Sequence, residues 1–183
     1  MASATEFRLL GPVEVRRAGL VIPVQPGKQR TVLAALLLKG DRVVPLEELG
    51  EVLWGPARPP SERATIRNYI KRLRRALGDA GCDRIRTEPH GYLISLDAGE
   101  LDVNRFEALR ATAHAASRNG SWETAAAQAR AALALWRGEP LADVDSEVLA
   151  AREMPRLVES RLQVLETRIT ADVYLGRHAD PIS

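Results

Sequence analysis

The sequence predicts an α+β first half followed by an all-α second half. Two patterns predict this. Before Asp97, short β-like runs punctuated by glycine and proline alternate with segments of helical periodicity, and after it an alanine-rich helical period replaces every β pattern. Charge changes at the same place: residues 1–97 carry 16 Lys/Arg against 11 Asp/Glu, net +5, whereas residues 98–183 carry 10 against 13, net −3. The expected domains are therefore 1–97 and 98–183. A basic unit beside a mildly acidic one suggests a polyanion-binding module joined to a unit with a different task.

Taken in order, three runs, Phe7 to Leu10, Val13 to Arg16 and Val21 to Val24, are separated by Gly11-Pro12 and Gly19 and read as a small antiparallel sheet. Lys28 to Lys39 places Val32, Leu33, Leu36 and Leu37 at helical spacing and stops at Gly40. A second helix is expected from Pro45, whose ring suits a first helical position, to Trp54, and the run Gly55-Pro-Ala-Arg-Pro-Pro60 ends it. Ser61 is the expected N-cap of a third helix that ends at Gly78, with Glu62 at its positive end. In that helix Ile66, Ile70, Leu73 and Leu77 form one narrow stripe, with Tyr69 at its edge, so this side is core. Arg84 to Thr87 and Tyr92 to Leu96, around Glu88-Pro-His-Gly91, read as a hairpin. Strands, three helices and a hairpin, in that order, describe a winged helix-turn-helix with an added N-terminal antiparallel sheet.

The second half is expected to hold helices at Val103 to Arg118, Trp122 to Trp136 and Glu147 to Gly176, with Pro155 beginning or kinking the main part of the last. Gly120-x-Trp122-x-x-Ala125-x-x-x-Ala129-x-x-Ala132-Leu133 has the small-residue rhythm of a tetratricopeptide-like helix, in which alanines let two helices approach closely. Gly176-Arg-His begins the same phrase again, which reads as a chain continuing into a further repeat of a longer protein.

Several function classes are disfavoured. The longest apolar run, Val32 to Leu38, is far short of the ~20 residues of a membrane span, and the N-terminus lacks the pattern of a signal peptide. Cys82 is the only cysteine, which rules out an intrachain disulfide, and the chain is expected in the cytoplasm with no membrane partner. Gly27-Lys28 invites a phosphate-loop reading, but Ile22 stands where the earlier glycine belongs and Gln29 replaces the magnesium-holding Ser or Thr. His90, His114 and His178 lie in unrelated segments, Cys82 has no partner at metal-ligand spacing, and the carboxylates do not converge. No enzyme activity, metal or cofactor is expected.

The third helix carries the functional signal. From Arg63 through Gly78 there are six basic residues and no acidic one. A solvated helix face usually mixes signs to gain i,i+4 pairs, and this one repels itself unless something negative lies against it. Double-stranded DNA supplies that charge, since its major groove admits a helix. Asn68 can pair with adenine and Arg72 with guanine, one turn apart, and Thr65 can meet a thymine methyl, so these three are the expected base readers. Arg63, Arg67, Lys71, Arg74 and Arg75 are the expected phosphate clamps, and Arg84, Arg86 and His90 the expected wing contacts. Gly91 and Tyr92 read as a turn glycine and a core aromatic, and Trp54 as core. The competing reading is a protein-interaction adaptor whose repeat-like helices do the work and whose basic helix binds an acidic protein.

Phe7-Arg-Leu-Leu-Gly-Pro-Val-Glu-Val15, Gly27-Lys-Gln-Arg30, Leu53-Trp-Gly55, Tyr69-Ile-Lys-Arg-Leu-Arg-Arg-Ala-Leu77, His90-Gly-Tyr92 and Ala132-Leu-Ala-Leu-Trp-Arg-Gly-Glu-Pro-Leu141, in this order, cover nearly the whole chain. Through them it resembles the Streptomyces antibiotic regulatory protein family, an OmpR-type winged helix-turn-helix followed by a bacterial transcriptional activator domain. The resemblance implies a transcriptional activator that binds direct repeats in promoters of secondary-metabolite (antibiotic) biosynthesis genes. It also implies recruitment of RNA polymerase through its sigma factor. Two copies would sit head to tail on such repeats, and a longer relative would add an ATPase region. Gly50 departs from the family pattern, which has a larger apolar residue there.

Overall fold

The computed structural model describes residues 5–78 and 83–177. Cys82 and His178 lie outside the described residues, as does the end of the repeated Gly176-Arg-His phrase. Strands β1 (Thr5–Arg8), β2 (Glu14–Arg17) and β3 (Leu20–Ile22) form an antiparallel meander in the order β1-β2-β3. Phe7 pairs with Val15 and turns inward with it, while the outer face carries a chain of ion pairs, Arg8–Glu6 at 2.6 Å and Arg16–Glu14 at 2.7 Å. The β2–β3 turn places Ala18 at φ 50° and Gly19 at φ 79°, two positive values of the kind a two-residue hairpin with right-handed twist requires.

β1 ends earlier than expected for a specific reason. Leu9 and Leu10 leave the sheet because their amides donate to a carboxylate from the second half of the chain, Asp102. Helices α1 (Lys28–Lys39), α2 (Leu46–Trp54) and α3 (Glu62–Ala76) follow, and the hairpin β5 (Ile85–Glu88) and β6 (Gly91–Ile94) closes the winged unit. A two-residue strand, β4 (Val44–Pro45), joins it in the order β4-β6-β5. It is too short to leave a periodic signal. Pro45 thus ends a strand and caps α2, where the sequence suggested a first helical residue. Gly91 is a sheet glycine: a Cβ there would lie 2.0 Å from the Val44 carbonyl oxygen, so the two backbones meet only because no side chain intervenes.

Ser61 stands at the N-cap of α3, but its hydroxyl does not cap; the Thr65 amide and hydroxyl both donate to its carbonyl, each at 3.0 Å. At Gly50 the space of a larger residue is filled by Glu62 and Arg58, whose nearest atoms would be 2.9 and 3.5 Å from a Cβ.

The second half is helical, with α4 (Asp102–Arg118), α5 (Trp122–Leu133) and α6 (Glu147–Tyr174). Ala125, Ala126, Ala129 and Ala132 of α5 are fully buried, and their small side chains let α5 pack closely against both α4 and α6. Trp122 stacks parallel on Tyr174, with centroids 4.0 Å apart, where α5 begins and α6 ends. α6 runs through Pro155 as one helix. The carbonyl that loses its donor there belongs to exposed Ala151, where water can replace the bond. Its N-cap is Ser146, whose hydroxyl accepts from Leu149 N at 3.2 Å and donates to Val52 O at 2.6 Å, tying α6 to α2.

The two halves share one core, a continuous cluster that holds Phe7, Leu9 and Leu33 together with Phe106, Ala129, Leu149 and Leu157. Loop 9–13 is the socket. Asp102 accepts from Leu9 N at 2.8 and 2.9 Å and from Leu10 N at 2.9 Å; Asp143 accepts from Val13 N at 2.7 Å and pairs with Arg30. Arg137 N donates to Leu10 O at 2.8 Å and Leu141 N to Leu9 O at 3.0 Å. Gly11, at φ 149°, passes close to Arg137, whose Cβ would lie 3.0 Å from a Cβ placed on it. Burial pushes the Asp102 carboxyl above its ordinary range, against the amide bonds and the Arg137 charge that act to lower it.

Candidate nucleic-acid interface

α3 is held by its back. Ile66, Ile70 and Leu73 are buried, so the stripe expected from sequence is core and the opposite side is presented outward. Asn68 and Arg72 are exposed one turn apart. Thr65 is half-buried, its hydroxyl occupied by the Ser61 carbonyl. Arg63, Arg67, Lys71 and Arg75 are exposed, and among the described residues none of these four, nor Arg72, forms an ion pair. The structure therefore gathers a band of uncompensated positive charge around two side chains able to read base edges.

Two of the residues expected to touch DNA are engaged inside the protein. Arg74 turns towards the hairpin, donating to the Ile85 carbonyl from Nε at 2.9 Å and Nη2 at 2.7 Å and to Thr87 Oγ1 at 2.9 Å. It fastens the wing to the helix. Arg84 donates to Ser95 O at 3.0 Å, forks onto the largely buried Glu100 carboxylate and lies 6.0 Å from the centre of the Phe7 ring, facing the sheet. Both have counts of charge and spacing indistinguishable from a phosphate ligand. Only the fold reveals a carbonyl or a carboxylate within their reach.

Arg86 is exposed and donates to Ser95 Oγ at 3.1 Å, and exposed His90 sits at the wing turn, across a cleft from Arg63 that is also lined by Pro45, Glu47 and Pro89. Tyr92 and Trp54 pack in or against the core, as expected. The flank of α3 away from the wing borders a groove formed with residues 23–29, a feature the sequence reading did not foresee. The signal for it was a helix start, at Lys28, that lacks both a capping side chain and an acidic residue.

A helix-turn-helix with an attached wing, an exposed basic third helix and a helical unit on a shared core define a winged-helix regulator of transcription. Comparison with known proteins agrees. A family model described as Transcriptional regulatory protein, C terminal, matches residues 25–94, and one described as Bacterial transcriptional activator domain matches residues 101–183. The chain is 38% identical over 182 residues to Regulatory protein DnrI of Streptomyces peucetius, covering 95% of this chain and 67% of that protein. It is 37% identical over 182 residues to Regulatory protein AfsR of Streptomyces griseus, covering all of this chain but 18% of that protein. A solved structure of Mycobacterium tuberculosis EmbR in complex with a low affinity phosphopeptide superposes with a TM-score of 0.89 at 33% identity, over 96% of this chain and 47% of that one.

The chain belongs to the Streptomyces antibiotic regulatory protein family, and it is a transcriptional regulator, not an enzyme. It spans only part of these relatives' lengths. No helix among the described residues is long and apolar enough to cross a membrane.

Proposed function

We propose that the chain binds double-stranded promoter DNA by inserting α3 into the major groove. Asn68 and Arg72 read base edges, with the Thr65 methyl as a third contact, while Arg63, Arg67, Lys71 and Arg75 hold phosphates. Arg86 and His90 approach the backbone from the wing. Arg74 and Arg84 act indirectly, by positioning that wing. Two copies bind head to tail on direct repeats about 10 to 11 base pairs apart, each α3 entering successive major grooves on one face of the duplex. Membership of the Streptomyces antibiotic regulatory protein family is the ground for taking promoters of secondary-metabolite genes as targets, and the activator-domain match supports an activating role, assigned here to contact with RNA polymerase through its sigma factor. Residues 1–97 carry the DNA contacts in this reading, and 98–183 the activating surface.

The observation that carries the proposal is the cationic band of α3, without ion pairs among the described residues, surrounding exposed Asn68 and Arg72. Titrating variants against specific and scrambled duplexes at several salt concentrations tests it. Lys71→Ala should weaken binding to both duplexes and lower the magnitude of the salt slope by about one. Asn68→Ala or Arg72→Ala should cost ~1 to 3 kcal/mol on the specific duplex and relax preference at one base position. Equal losses on both duplexes for all three would reduce α3 to an electrostatic clamp.

A further inference from the structure

The segment Gly27-Lys28-Gln29 fails as a nucleotide-binding loop, yet its structure has the properties of an anion site. α1 begins with Gly27 at φ 74° and has neither a capping side chain nor an acidic residue in its first turn. The first amides to bond within the helix are those of Arg30 and Thr31, both to the Gly27 carbonyl at 2.9 and 3.2 Å. The Lys28 and Gln29 amides therefore lie outside the helical ladder, at the end where the helix dipole is positive. Gln29 is 3% exposed, and among the described residues its Oε1 has no donor. A half-turn of this carboxamide presents its NH2 group in the same place.

These residues line a groove whose other wall is α3, contributed by Tyr69, Arg72 and Arg75. Arg72 and Arg75 are exposed and unpaired among the described residues, and no acidic side chain lines the groove. The Lys28 ammonium is bonded to the Leu53 carbonyl and lies over Trp54, so it adds charge without reaching out. Arg74 binds the wing from one flank of α3, whereas Arg72 and Tyr69 face this groove on the other.

We propose that the first turn of α1, with Gln29 and Arg75, is a phosphate-binding site that takes a DNA backbone phosphodiester on the side of α3 away from the wing, beside the base-reading Arg72. The inference rests on the DNA-binding reading above. A phosphate here accepts from uncapped amides and from the Arg75 guanidinium. A free phosphate ester offers similar oxygens, but the groove runs beside the helix that meets DNA and its rim, at Pro23, Gln25 and Pro26, is exposed to solvent. The recognition helix would then be bracketed: the wing holds the backbone on one side and the start of α1 holds it on the other.

The test uses the full chain with Gln29→Glu and Gln25→Glu. The first is isosteric but puts a carboxylate into a site that is 3% exposed, a cost the positive helix end offsets only in part, so its fold is checked by thermal denaturation before binding is read. The second alters an exposed rim residue and leaves the core untouched. Affinity for a specific duplex is measured against salt, together with phosphate-ethylation interference, and inorganic phosphate is titrated against the Lys28 and Gln29 amide NMR signals. Gln29→Glu should bind about tenfold more weakly and lower the magnitude of the salt slope by about one, with Gln25→Glu a smaller version of the same change. One phosphate, on the flank opposite the wing, should drop out of the interference pattern.

Unchanged slope and interference in both variants would overturn the proposal. If inorganic phosphate still shifted those amides in that case, the site would belong to a free phosphate ester. A wild-type chain that bound specific and scrambled duplexes alike would remove the underlying reading as well, whereas specific binding without a contact on that flank would remove this inference alone.

Discussion

Replacing Asp102 by asparagine tests how firmly the helical half is seated on the winged half. The carboxylate is 4% exposed and accepts three bonds from the Leu9 and Leu10 amides. Asparagine keeps one acceptor and turns an NH2 group, which has no lone pair to offer, towards the other amide, so one bond from a backbone amide becomes a buried donor facing a donor. A hydrogen bond is worth about 0.5 to 1.5 kcal/mol net and an orphaned buried donor costs about 1 to 3. Against this, burial already penalises the ionised Asp102, as its raised pKa shows, and the neutral amide escapes that penalty. The net loss should be about 2 kcal/mol, or roughly 4 to 8 °C in Tm for a chain of this size.

The pH dependence has a definite sign. A carboxyl whose folded pKa lies above its unfolded value contributes stability that is complete below the ordinary value of 3.8 and declines as pH rises through the folded pKa. The deficit of Asp102→Asn relative to wild type should therefore be largest at low pH and shrink towards neutrality. Urea denaturation at several pH values measures it. A deficit that grew with pH, or one below about 0.5 kcal/mol throughout, would refute the account of a buried, desolvated clasp.

Three further outcomes are expected. Arg74→Met should destabilise by about 1 to 2 kcal/mol through loss of the Ile85 and Thr87 bonds, while leaving the salt slope of DNA binding unchanged; a slope lowered by about one would return Arg74 to the phosphate contacts. Ala18→Asn should raise stability by roughly 0.5 to 1 kcal/mol in thermal or chemical denaturation, because asparagine tolerates the left-handed conformation that alanine resists at φ 50°. A fragment ending at residue 97 should be markedly less stable than the full chain and bind an apolar dye, since it uncovers Leu9 and Leu10 and leaves their amides without Asp102; a cooperative transition at the full chain's midpoint would show that the winged unit needs no partner.

Local patterns identify most of the elements here because the information for them is local. Four apolar residues at helical spacing place the buried side of α3, and the absence of acids from Arg63 to Gly78 marks its outer face wherever the chain happens to be packed. Turn chemistry at Gly19 and helix ends at Gly40 and Gly55 likewise depend on a few neighbouring residues. The alanine rhythm of α5 reports a close helix approach before either partner helix is known.

Long-range contacts decided the rest. Arg72 and Arg74 are two positions apart in one basic run, yet the first is exposed and unpaired among the described residues while the second is bound to a carbonyl eleven residues away. Strand β4 exists because Gly91 lets the Val44 backbone approach, and β1 stops at Arg8 because the next two amides are taken by a carboxylate more than ninety positions later. A backbone amide carries no sequence label for its acceptor, and a guanidinium serves a phosphate, a carbonyl or a carboxylate equally well. Which of these it meets is a matter of distance, and distances between remote segments are set only when the chain closes on a common core.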